Sequence, residues 1–208
     1  MAVCYRDQNM AILFYTIVFV MGILSMGFQI VASRELAPSF GSSVVVWSFL
    51  ISTFLIAFSA GSFAGGVVAA RPPRQAAIAQ WIFAALAVGG FGLNAFLRRG
   101  LLDWIETHVE SFNLGLLVTC SILFLAPVLA LTAFTPLCVQ FYSRSRRDGS
   151  SGHAAGVIYG VSTLGNIGGV MITALLLVPH FSLSIILTVW TLITALVLFA
   201  LCSLLRSS

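Results

Sequence analysis

Six stretches of this chain run for more than twenty residues without a single Asp, Glu, Lys or Arg, at about 10–32, 44–69, 76–97, 113–142, 154–178 and 182–204. An α-helix needs about 20 apolar residues to cross roughly 30 Å of hydrocarbon. A transmembrane β-strand needs only about 10 and alternates apolar with polar side chains. These runs are too long for strands and do not alternate. They predict an all-α, polytopic membrane helix bundle of six transmembrane helices forming one domain over residues 1–208. The first run is followed by Ser33-Arg34-Glu35 rather than a small-residue cleavage site, so it reads as a span and not as a signal peptide. With 60% hydrophobic and 8% charged residues, the chain cannot coat a globule with charge. Soluble domains carry about 25% charged residues. A soluble enzyme, a disordered chain and a nucleic-acid-binding domain are thereby excluded, and the lipid bilayer is the expected partner.

Ten basic residues, all arginine, against six acids give a net charge of +4. Placing the N-terminus inside puts Arg6, Arg71, Arg74, Arg144, Arg146, Arg147 and Arg206 on the inner side. Only Arg34, Arg98 and Arg99 then fall outside. The excess of inner arginine predicts an N-in, C-in topology. Arg71, Arg74, Arg144, Arg146 and Arg147 form an inner basic loop set suited to anionic lipid or to a docking partner. Between the third and fourth runs, Leu101, Ile105, Val109 and Phe112 recur at helical spacing, opposite Asp103, Glu106 and Glu110. That pattern predicts a short interfacial amphipathic helix over about 100–112, with Trp104 at the headgroups and an acidic outer rim that is a solvated face or a cation collector. The order, three spans, an interfacial piece and three spans, points to a 3+3 arrangement, although no sequence repeat links the halves.

Helices in lipid have no hydrophobic drive to pair, so small residues mark where they approach closely. Gly61 with Gly65, Gly156 with Gly160, and Gly165 with Gly169 are the expected packing glycines. Pro127 and Pro136 break the fourth run and free backbone carbonyls that protein or water must satisfy, and Thr132 and Thr135 stand near the second of them. Gln29, Arg34, Trp47, Thr132, Thr135, Tyr159, Ser162 and Asn166 are candidates for a polar cavity. No acid is expected within a span, which argues against a cation carrier. Cys4, Cys120, Cys138 and Cys202 lack C-x-x-C spacing, and His108, His153 and His180 fall in separate loops, so no metal site is expected. The run Leu164-Gly-Asn-Ile-Gly-Gly169 follows no strand, so no cofactor is assigned to it, and no nucleophile–base pair marks a catalytic centre.

The stretch SRELAPSFGSSVVVWSFLISTFLIAFSAGSFAGG resembles the membrane domain of the bacterial fused spermidine-synthase-like family. That family shows an R-x-LAP-x-FG-S-S turn, a tryptophan and a G-x-x-x-GG exit. These fall on Arg34, Leu36-Ala37-Pro38, Phe40-Gly41, Ser42-Ser43, Trp47 and Gly61 with Gly65-Gly66. The proline-bearing LAPVLALTAFTPLCVQFYSRS and the AAGVIYGVSTLGNIGGVMITALLLVP segment are similar to its fourth and fifth spans, with Tyr159, Thr163, Leu164 and Gly165 matching and Ser162 standing where asparagine is usual. The resemblance covers about residues 10–200. Gln29 occupies the place where family members often carry glutamate, and no strand–G-x-G-x-x-G–helix unit of the soluble transferase follows residue 204. What the resemblance implies is a non-catalytic integral membrane subunit or scaffold in a bacterial inner membrane, acting with a separate transferase-like chain or a larger membrane complex. The family's membrane part also resembles half of a major-facilitator transporter, and GSFAGGVVAARPPR over Gly61–Arg74 is similar to the glycine-then-basic loop there, without its acid. The second expectation is therefore a small secondary transporter acting as a homodimer.

Overall fold

The computed structural model of the chain describes the backbone of residues 2–145 and 151–206 and the side chains within 11–144 and 152–205. Arg146 and Arg147 of the expected inner basic set lie outside the described residues, as does the side chain of Arg6. Six membrane-length helices follow one another: α1 (Ala2–Phe40), α2 (Val44–Ala69), α3 (Pro73–His108), α4 (112–145), α5 (151–180) and α6 (Leu183–Arg206). No strand occurs among the described residues.

Local chemistry explains the ends and the irregularities. Gly41 takes a left-handed φ of 73°, which lets the chain reverse after α1. Ser43 caps α2 by accepting from the Val46 amide at 3.4 Å. Pro73 opens α3, where its missing N–H costs nothing. In α4 and α5 a π-helical turn, Ser121–Leu125 and Thr173–Leu177, ends two residues before a proline, Pro127 and Pro179. The missing Pro127 amide leaves the Leu123 carbonyl one turn back without its helical donor. Asn94 of α3 donates to that carbonyl at 3.2 Å, so the break in one helix is mended from another.

Two of the sequence-level boundaries change. The first span continues to Phe40 instead of ending near residue 32, and residues 100–108 are the last turns of α3 rather than a separate interfacial helix. Trp104 is exposed on those turns. Both extensions carry charged residues into the bundle, with consequences described below.

Helix α1 packs mainly on α5, α2 mainly on α4, and α3 on α6 as well as on α4. Swapping the first three helices for the last three in order turns the first pairing into the second and maps the third onto itself. The two seams are alike in detail. In α5, Gly165 lies on the carbonyl of Phe19 and Gly169 on that of Ile23. In α2, Gly61 lies on the carbonyl of Leu129 and Gly65 on that of Ala133. Each seam sets two glycines four residues apart against two carbonyls four residues apart. With three spans in each half, corresponding helices run in opposite senses, so the two seams are placed as an inverted repeat would place them.

The centre is filled by one phenylalanine from each of the first four helices. Phe28 meets Phe91 edge-on at 4.7 Å and Phe124 at 5.7 Å, and lies 6.0 Å from Phe54. All four are fully buried. Edge-to-face rings at these separations add about 0.5–1.5 kcal/mol per pair beyond area burial.

Candidate functional site

A charged pair is buried where α1, α3 and α6 meet. Glu35 stands five residues before the end of α1, about 8 Å at the usual helical rise. Arg98 stands ten residues before the end of α3, about 15 Å by the same measure. The Arg98 Nη1 donates to Glu35 Oε1 at 3.3 Å, and its Nη2 donates to Ser184 Oγ at 2.8 Å. The side chains are 8% and 1% exposed, which makes this the buried ion pair among the described residues. Glu35 Oε2 has no hydrogen-bond partner. One turn before Arg98, Asn94 is fully buried, and its Oδ1 likewise has no partner. Phe91, Asn94, Arg98 and Ile105 thus share the inward face of α3, the last extending the same helical stripe.

This corrects the expectation that no acid lies within a span. It also moves attention from Arg34 to its neighbour. Successive helix residues point about 100° apart. Arg34 turns outward to line a cavity of about 300 Å³ with Pro38, Val178 and Phe181. Glu35 turns inward on the stripe that runs through Phe28, Val31 and Ala32, all fully buried.

The other expected cavity residues do not converge. Thr132 donates to Ala57 O at 3.3 Å and to Val128 O at 2.9 Å, tying α4 to α2 beside Gly61. Ser162 and Asn166 are half-buried along the α1–α5 seam, where Gly22 packs on their backbone. Gln29 on α1 and Thr135 on α4 are half-buried, while Trp47 and Tyr159 are exposed. Gly156 and Gly160 meet no neighbouring helix among the described residues, where a Cβ at either finds no atom within 4 Å. Alanine at Gly156 or Gly160 should therefore raise the melting temperature slightly in a detergent melt, since Gly→Ala in a helix interior is worth about 1 kcal/mol when nothing clashes.

At the arginine-rich end, Arg71, Arg74 and Arg144 line one cavity. Among the described residues, no three His, Cys, Asp or Glu side chains gather as a metal site would require, and Cys120, Cys138 and Cys202 are buried thiols.

Fold and site together define a multi-pass helical membrane protein with a charged pair inside its bundle. No protein-family model, curated protein or solved structure matches the chain.

Proposed function

We propose that this chain is a small membrane carrier unit, two copies of which form the working transporter, with Glu35 and Arg98 as the charged elements that respond to the transported or coupling ion. The buried Glu35–Arg98–Ser184 group carries this reading. Ionisable groups within membrane spans are costly, and they mark ion and substrate pathways. Glu35 Oε2 is held among the spans with an unused acceptor, the group on which a proton or sodium ion would act. The inverted-repeat placement of the seams supports the same reading, because many carriers are built from such repeats and work by rocking one rigid bundle against another. A six-helix block with a solid aromatic centre suits one half of a rocking pair.

The test is charge movement by the chain alone. Proteoliposomes adsorbed on a solid-supported membrane are given steps of pH and of sodium. Wild type should give a transient current that Glu35→Gln removes. Wild-type liposomes that stay silent to both steps would overturn the reading.

A second reading has its own support. The basic end of the bundle suits a non-catalytic subunit that holds a soluble transferase-like chain, as the resemblance to the spermidine-synthase-like family implies. Stoichiometric retention of such a chain on purification from native membranes, together with silent liposomes, is the outcome that would favour it.

A further inference from the structure

The helix ends on the arginine-rich side enclose a cavity of about 530 Å³. Arg71 follows α2, Arg74 and Gln80 belong to the first turns of α3, and Gln140 and Arg144 to the end of α4. Its apolar lining includes Leu137, Phe141 and Leu205. No carboxylate lines it, and none of the three guanidinium groups pairs with an acid among the described residues. Gln80, 8% exposed, contributes a carboxamide to the same lining. Helix α3 also begins here. No side chain caps it, and the N–H groups of its first turn add their positive end to the same space.

We propose that this cavity binds the phosphate of an anionic phospholipid from the surrounding leaflet. Three guanidinium groups, an uncapped helix start and two carboxamides are a donor set for a phosphate oxyanion. Free inorganic phosphate shares that chemistry. The apolar side chains beside the donors, at helix ends level with the membrane surface, assign the site to the lipid, whose acyl chains they can meet. Basic pockets between spans bind acidic headgroups in this way.

The full chain, purified in neutral detergent, is titrated with dioleoylphosphatidylglycerol and with dioleoylphosphatidylcholine, with bound lipid counted by native mass spectrometry. One phosphatidylglycerol should be retained per chain, at least about tenfold more tightly than phosphatidylcholine. Arg71→Gln/Arg74→Gln/Arg144→Gln should weaken it by about a hundredfold, as three lost arginine contacts predict. The Arg34→Gln/Arg99→Gln variant, altered at the opposite end, should bind as wild type does. If the triple variant is not monodisperse, Arg71→Lys/Arg74→Lys/Arg144→Lys should keep the preference for phosphatidylglycerol, and Gln80→Ala should weaken it with an unchanged melt. Equal binding of the two lipids by wild type, or equal loss in the variant at the opposite end, would overturn the site. Millimolar inorganic phosphate that displaces the lipid and stabilises the chain as well as it does would overturn the lipid assignment.

Discussion

Leucine in place of Gly65 should leave little monodisperse protein, and whatever is recovered should melt far below wild type. A Cβ there would fall on the carbonyl oxygen of Ala133, and the next nearest atoms are that residue's carbonyl carbon at 2.8 Å and Cα at 3.0 Å. All three belong to backbone, so no side-chain rotation can make room and the two helices must move apart. Separation removes the dispersion contacts along the whole seam, and in lipid no hydrophobic force draws the helices back. Overpacking in ordinary cores costs about 1–3 kcal/mol. A clash between two backbones belongs at or above the top of that range. Gly169→Leu should fail in the same way, because Gly169 meets the backbone of Ile23 in the matching seam of the other half. Scanning fluorimetry and gel filtration in detergent check both, with Gly156→Ala as the control that nothing crowds. Wild-type melting of both leucine variants would refute the paired seams and the repeat drawn from them.

The spans were legible because length and hydropathy act locally, and each run announces itself without knowledge of the others. Their ends were not. An isolated Arg34-Glu35 or Arg98-Arg99 reads as the edge of a span, since a lone charge belongs at the interface. What carries α1 and α3 past these residues is the pairing of Glu35 with Arg98 across 63 positions, which no local pattern records. A signal did exist: Glu35 continues the spacing of Phe28, Val31 and Ala32, and Arg98 that of Phe91 and Asn94. The glycine motifs were half informative for a related reason. Small residues four apart show that a face permits close approach, not that a helix comes. Gly160 and Gly165 are five residues apart, about 140° around the helix, so the two α5 motifs face different ways and only the second meets α1. Polarity within or at the edge of a span marks the eight polar candidates, and it says nothing of the direction in which a side chain points. Thr132 serves the α2–α4 seam, while Asn94, which mends the break at Pro127, carries no local mark of that role.

Arg98→Met should destabilise the chain more than Glu35→Gln, and the double variant should recover most of the loss. Removing the guanidinium leaves the Glu35 carboxylate buried among apolar side chains with neither oxygen satisfied. Breaking a buried pair from one side costs about 3–5 kcal/mol, whereas replacing both partners with neutral groups is often close to neutral. Glu35→Gln is gentler because an amide oxygen still accepts from Arg98, which also keeps Ser184. The double-mutant cycle read by melting should give a coupling of roughly 2 kcal/mol or more, within the range found for groups in direct contact. A double variant whose loss equals the sum of the two single losses would mean that the pair is not coupled. The same variants separate architecture from transport. A pair that only holds three helices together is dispensable once both charges are gone, and the double variant would then keep the pH-step current. A pair that carries the coupling ion is not, so the double variant should fold as wild type does and pass no current.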